Sequence, residues 1–483
     1  MRVLYVNWVD YLDAEARGGG VSLYQRNIMA GRVDRDMVFL ASGTSYDLRK
    51  GAPRWEQIRH GPDKDRSRRF EIVNSGVLAP GHFSFGAQAQ VSDPATEAVF
   101  FDFIEQNGPF DVVHFNNLEG LPAGVLTLRS RFPDTRVIFS LHNYYPFCPQ
   151  VNLWHRERAH CTDFENGAAC HTCLPVRPSP QAVRLAAGLA YWLKCAGLEP
   201  GKPAFDWTLR LVLGLGRRGL SVLRTVRRNR VPVDTSSMSR EQAHRFAARR
   251  VAMVEALNSG CDRILCVSDA VRDMALAYGV NPDLVRTSYI GTAQADHWDT
   301  TTPRALPGDG TLTLAYLGYM RRDKGFFFLL DALEQAPDVL LARLRLVVAA
   351  RAGDPVTMAR LHRLRSRLAA LDWHDGYSHD GLNDLLRGVD MGVIPVLWAD
   401  NLPQVAVEMH ARHIPLLCSD MGGAQELARC PAMTFASGNT ADFQSRLAAA
   451  MDGKVNMDDY WKAARKPVTV AEHLSELEAH YAA

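Results

Sequence analysis

Short apolar runs recur along both ends of the chain, each followed by a more polar stretch that can form a helix. Val3–Trp8, Val112–Phe115 and Val137–Leu141 are the clearest in the first half. Leu312–Leu317, Leu344–Ala349 and Ile414–Ser419 repeat the pattern in the second. Such runs predict strands, and their alternation with helical segments predicts parallel α/β domains. The first strand leads through Gly18, Gly19 and Gly20 into a helix expected from about Val21 to Ala30. A second strand–helix unit starts at Arg263, its helix capped by Ser268. Residues 292–310 are rich in Thr, Pro and Gly and mark the expected domain boundary. Residues 43–100 carry loop chemistry and are expected to elaborate the first domain. There is no internal repeat and no low-complexity tract.

A length of 483 residues suits two domains or more. An apolar fraction of 47% with 22% charged residues is that of a soluble globular protein. A net charge of only +2 names no partner, and nothing points to nucleic acid. The opening residues read as a strand rather than a signal peptide. The longest apolar stretch, Leu185–Leu193, is bounded by Arg184 and Lys194 and is too short to span a bilayer. The expected location is cytoplasmic, where nine cysteines without a secretory leader are reduced thiols.

Candidate chemistry concentrates near the C-terminus. Asp400 and Glu408 stand eight residues apart across the start of a helix, with Pro403 suited to its first turn. The Ile414–Ser419 strand follows, and then Gly422 and Gly423 open another helix. Amides at such a turn attract phosphate, and carboxylates hold hydroxyls, so the set suits a sugar nucleotide. Taken singly, each feature also reads as ordinary surface or turn.

This region resembles the E-x7-E segment of the family-4 retaining glycosyltransferases, of the glycogen-synthase-like and sucrose-synthase-like superfamily, with Asp400 in place of the first Glu. The likeness extends over about 1–42, 108–150 and 260–483. It implies two Rossmann-like domains facing a cleft (GT-B), with a helical insertion in the first. Residues 1–295 would bind the acceptor, 296–460 the nucleotide sugar, and 461–483 would form a helix crossing back to the first domain. His142 occupies the place of the family's active-site histidine, and Lys324–Gly325 matches its diphosphate-binding Lys-Gly. The family's arginine position is Tyr319 here, with Arg321 or Arg322 as substitutes. The resemblance implies catalytic roles for His142, Asp400 and Lys324. It implies donor contacts from Gly19, Gly20, Arg322, Lys324, Gly325, Asp400, Asn401, Leu402, Glu408, Gly422 and Gly423. The implied reaction moves a sugar from a nucleotide diphosphate to a glycan or lipid-linked acceptor with retention, in cell-surface polysaccharide synthesis, and needs no catalytic cofactor. A nucleotide-sugar epimerase and an inactive partner subunit are the rival readings.

Two features lie outside that frame. Cys148, Cys161, Cys170 and Cys173 have C-x12-C-x8-C-x2-C spacing, which suits structural zinc; free thiols, redox disulfides and a site completed by His160 or His171 compete. Residues 174–258 form an arginine-rich insertion, with seven arginines and one acid between Phe205 and Arg230. A basic amphipathic helix there would lie on an anionic membrane; the alternative is a helix packed on its own domain.

Overall fold

The computed structural model describes residues 1–15, 17–31, 36–174, 179–211, 235–308 and 310–482, with side chains omitted for 235–240 and 242. Two parallel sheets organise the chain. The first contains β1 (Val3–Asn7), β2 (Met37–Ser45), β3 (Arg54–Gln57), β4 (Arg69–Val73), β5 (Val112–Phe115), β6 (Arg136–Leu141), β9 (Arg263–Cys266) and β10 (Val285–Thr287). Its order is β10-β9-β6-β5-β1-β2-β4-β3, and only β3 runs antiparallel to its neighbour. A two-stranded hairpin, β7 (Trp154–His155) and β8 (Ala159–His160), stands apart. The second large sheet contains β11 (Leu312–Gly318), β12 (Leu344–Ala350), β13 (Ala370–His374), β14 (Met391–Ile394), β15 (Leu416–Ser419) and β16 (Thr434–Phe435). Its order, β13-β12-β11-β14-β15-β16, is entirely parallel.

Both orders reverse beside their first strand, at β1/β5 and at β11/β14. This is the doubly wound Rossmann plan, whose ligand crevice lies at the carboxyl ends beside the reversal. Helices cover both faces, so strands such as β1, β5 and β14 are buried throughout. That two-sided burial is why their sequences are largely apolar rather than alternating, with the buried Asn7 and His114 as the polar exceptions.

The expected strands lie within a residue or two of their predicted bounds. Residues 43–100 are a correction. They are not loop alone, because they supply β3 and β4 at the edge of the first sheet and the helix Pro94–Asn107, capped by Asp93. The tail is also corrected from one helix to two, Met457–Ala463 and Val470–Ala482, separated by a segment containing Pro467. The insertion contributes the helices Pro180–Cys195, 203–211 and Thr235–Gly260. Residues 212–230 of the expected basic helix lie outside the described residues.

The final helix returns to the first sheet, as expected. Tyr481 Oη lies 2.6 Å from His114 Nδ1 and 3.1 Å from Tyr5 Oη, and His114 Nε2 is 2.7 Å from Ser140 Oγ. Higher on the same helix, His473 Nε2 is 2.8 Å from Tyr24 Oη. All of these groups are buried. Tyr481→Phe keeps the ring and removes the shared hydroxyl, leaving buried polar atoms short of a partner. We expect a loss of about 1–3 kcal/mol in urea denaturation followed by tyrosine-region circular dichroism. An unchanged midpoint would show that the helix is held by apolar contacts alone.

Candidate functional site

A cavity of about 290 Å³ opens where the carboxyl ends of the two sheets face each other. Gly20, Tyr24 and His142 line it from the first sheet, and Tyr319, Lys324, Trp398, Asp400, Asn401 and Gln404 from the second.

His142 follows directly on β6. Its neighbour Asn143 donates to Glu119 Oε1 at 2.7 Å and accepts from the Tyr145 amide at 3.0 Å, which fixes the turn. The His142 ring packs against Tyr24 at 4.6 Å between centroids. Burial, with a smaller contribution from His473, pushes its pKa down to about 3, so the imidazole is neutral. Its Nε2 has no hydrogen-bond partner among the described residues.

Lys324 sits in the turn between β11 and the helix Phe326–Glu334. Gly325 ends that turn at φ 74°, and a Cβ there would lie 1.6 Å from the Pro395 carbonyl oxygen. Only glycine lets the turn close onto the end of β14. Lys324 Nζ is 2.5 Å from Asp400 Oδ2 and 5.2 Å from the centre of the Trp398 ring. The two opposite charges therefore neutralise each other across the cavity.

The Asp400–Leu402 loop is seated from behind by the Gly422–Gly423 turn. Gly422 has φ +72°, and a Cβ would lie 2.0 Å from the Asp400 carbonyl oxygen. The Gly423 amide donates to that same oxygen at 2.9 Å. From the first domain, Ser268 Oγ donates to the Asn401 carbonyl at 2.6 Å. The loop's carbonyls are thus committed while its side chains are left over. Asn401 is 5% exposed, and both its amide oxygen and its amide nitrogen lack partners among the described residues, as does Trp398 Nε1. Buried, unpaired polar atoms are rare, and here they converge on one cavity.

Of the residues singled out in the sequence, Gly20, His142, Lys324, Asp400, Asn401 and Leu402 meet in the cavity wall. Gly19, Gly325, Gly422 and Gly423 do not line it; the last three instead make room for other backbone. The Gly423 amide expected to face phosphate is committed to Asp400. Arg321 pairs with Asp323 at 2.8 Å, and Arg322 lies over Phe327, so neither lines the wall where Tyr319 stands. Glu408 is 1% exposed and also lies off the wall, with Tyr377 Oη at 2.9 Å and His379 Nε2 at 3.0 Å on its two oxygens. The Glu408 hydrogen bond raises the His379 pKa, which favours the imidazolium. Tyr24, Trp398 and Gln404 line the site without having been singled out. Their only sequence signal is proximity to Gly20 and Asp400.

The cysteine loop lies elsewhere. Cys173 Sγ donates to Gln150 Oε1 at 3.0 Å, and Cys161 Sγ to the Asp163 carbonyl at 3.5 Å. Burial, reinforced by the neighbouring thiols, pushes Cys170 up to about 12. Among the described residues no group of three or more His, Cys, Asp or Glu is arranged to hold a metal.

Comparison with known proteins agrees with this architecture. Residues 311–452, which contain the second sheet, match the family model described as Glycosyl transferases group 1. Over the whole chain the fold is shared with several solved structures. One is sucrose-phosphate synthase from Thermosynechococcus elongatus, at 14% identity and TM-score 0.54, covering 100% of this chain and 98% of that one. Another is trehalose 6-phosphate synthase from Burkholderia multivorans, at 12%, 0.55, 100% and 98%. A third is Anabaena HepE in complex with UDP, at 13%, 0.52, and 100% of both chains. No curated protein sequence matches the chain. The chain therefore has the GT-B fold, two Rossmann-like domains about a cleft, and its residues 311–452 are similar to the group 1 glycosyltransferases.

The loop packing yields a sharp comparison between two glycines. Gly438 has φ +73° and nothing within 4 Å of where a Cβ would stand, whereas Gly422 is blocked. Each Ala variant costs roughly 1–2 kcal/mol for a left-handed backbone. Only Gly422→Ala must also displace Asp400, so it alone should melt markedly lower than Gly438→Ala. Equal melting temperatures would contradict the close packing.

Proposed function

We propose that the chain is a retaining glycosyltransferase that moves a sugar from a nucleotide diphosphate to an acceptor hydroxyl. The observation that carries this reading is the convergence of Lys324, Asp400 and Asn401 on a cavity whose opposite wall holds a neutral His142 with its Nε2 unpaired among the described residues. A donor sugar would give each group what it lacks. Its phosphate takes Lys324 from Asp400, freeing Asp400 to accept sugar hydroxyls. Asn401 and the His142 Nε2–H supply further hydrogen bonds. As the sugar–phosphate bond breaks, negative charge grows on the diphosphate beside the fixed Lys324 ammonium, which is the main source of rate enhancement in such sites.

We assign Glu408 to the ribose, with Tyr377 and His379 sharing its oxygens. Glu408 is buried off the cavity wall, so a ribose would reach its oxygens only by displacing Tyr377 or His379. Residues 1–295 would present the acceptor, a glycan or lipid-linked sugar of cell-surface polysaccharide synthesis, and 296–460 would hold the donor. The UDP bound by the Anabaena protein of the same fold supports a nucleoside diphosphate as the leaving group. No helix among the described residues is long and apolar enough to cross a membrane.

Lys324→Met and Asp400→Asn should each lower transfer by roughly 100-fold or more in a nucleotide-release assay. Asp400→Asn should leave nucleotide affinity nearly intact, because it acts on the sugar. Since Lys324 supplies the positive charge, EDTA should leave the rate unchanged, and a strict requirement for added Mg²⁺ would contradict this electrostatic scheme. Full turnover of donor in the absence of any acceptor would favour epimerisation over transfer.

A further inference from the structure

A second cavity, of about 650 Å³, lies in the first domain and shares no lining residue with the one between the two sheets. Its volume falls in the range of small-ligand sites, roughly 300–1,000 Å³. Three segments distant in sequence wall it: the loop after β1 (10–14), the turn between β3 and β4 (59–66), and the end of the insertion helix Pro180–Cys195 with the residues that follow it (194–200).

Bonds behind the surface fix these walls to one another. Arg69 is fully buried. Its Nε donates to Asp10 Oδ1 at 3.2 Å, and one terminal nitrogen donates to the Pro62 and Lys64 carbonyls at 2.7 and 2.8 Å. A single guanidinium therefore joins the β1 loop to the β3–β4 turn. Arg17 grips both oxygens of Asp13, at 3.0 and 2.9 Å. The insertion is tied in through Tyr191, whose hydroxyl donates to Glu56 of β3, and through Lys194, whose ammonium lies 3.2 Å from Glu15. Lys194 is only 7% exposed, and Glu15 is its one ion partner among the described residues. An ammonium has three N–H donors, so Lys194 keeps hydrogen-bonding capacity beyond that contact. Walls held in place before a ligand arrives lose little order on binding it.

The lining chemistry selects the ligand. Asp10, Asp13, Asp63 and Glu199 offer carboxylate acceptors. Arg59, Arg66 and Lys194 offer donors. Arg69 and Arg17 neutralise two of the acids from behind, and Glu15 does the same for Lys194, so the wall has no excess charge with which to draw in an anion or a cation. A ligand dense in hydroxyls, each able to donate and to accept, uses both kinds of group at once. Leu12, Pro62, Leu198 and Pro200 add apolar surface that the C–H face of a sugar ring can cover.

We propose that this cavity binds a neutral oligosaccharide, at a site separate from the nucleotide-sugar cavity. Binding here does not require transfer. Together with the transfer reading it has a consequence for the acceptor. Ala14 of this cavity and Gly20 of the other are six residues apart, a span of at most about 20 Å when extended. A glycan held here is gripped beside the cleft, away from its reacting hydroxyl.

The test presents the full chain to a printed array of defined neutral, phosphorylated and sulfated oligosaccharides. The wild type is expected to bind one or more of the neutral set. Ala14→Trp fills the cavity from an exposed position without removing a hydrogen bond, and Arg59→Ala with Glu199→Ala takes a donor and an acceptor from its exposed rim. Each change should weaken array binding about tenfold or more, while melting temperature and nucleotide affinity stay those of the wild type. Asp400→Asn, a change in the transfer site, should leave array binding as it is, which separates failure of this proposal from failure of the transfer reading. Absence of binding to every neutral oligosaccharide overturns the proposal. So does binding that the cavity variants leave intact, or that Asp400→Asn removes. Binding confined to phosphorylated or sulfated saccharides equally overturns it, because the site would then select an anion.

Discussion

The site depends on how closely the Asp400–Leu402 loop is pressed between two neighbours. Behind it, Gly422 and Gly423 leave no space for a side chain, and the Gly423 amide holds the Asp400 carbonyl. Beside it, Ser268 of the first domain holds the Asn401 carbonyl. With these backbone groups committed, the side chains of Asp400 and Asn401 project where ligand chemistry is possible. The same loop is also a joint between the two domains. Nearby, Glu426 of the second domain accepts the Asp269 and Ala270 amides at 2.9 and 2.7 Å, capping a helix of the first. A carboxylate there meets the positive end of that helix dipole.

The electrostatics of the cavity follow from this placement. Lys324 and Asp400 are fixed by separate turns, and without a ligand each satisfies the other. The pair stores no large stabilisation, because partial exposure of Lys324 leaves it screened by water. Its importance lies in exchange. A diphosphate presents Lys324 with a stronger partner, and a sugar offers hydroxyls to the released carboxylate. His142 lies opposite, held neutral by burial and oriented through the Asn143–Glu119 bond.

Much of this was legible in the sequence, and the limits have physical causes. Strands buried on both faces leave continuous apolar runs, so β5 and β11 could be bounded closely. Lys324, Asp400 and His142 were legible because short motifs fix them at the ends of such strands. Glycine roles were harder to read. A Gly-Gly turn before a helix suggests an anion site, but whether its amides face a ligand or another loop is decided by a tertiary contact, here with Asp400. Glu408 illustrates the same limit: its spacing from Asp400 suggested a shared cleft, yet Tyr377 and His379, about thirty residues earlier in the chain, reach its oxygens first. Residues 43–100 were misread because the polar loops around β3 and β4 dilute two short strands. Trp192 and Trp207 both stand exposed; Trp207 falls in the segment read as basic and amphipathic, whereas an outward-facing Trp192 looks in sequence like any core residue.

The central claim is that the cavity between the two sheets holds a nucleoside diphosphate sugar. Hydrogen–deuterium exchange of the full chain, with and without a panel of nucleoside diphosphates that includes UDP, tests it most directly. The account predicts that at least one nucleotide slows exchange in both 318–326 and 398–405, since the Lys324 turn and the Asp400 loop close on it together. Protection confined to other segments, or none with any nucleotide of the panel, would contradict it.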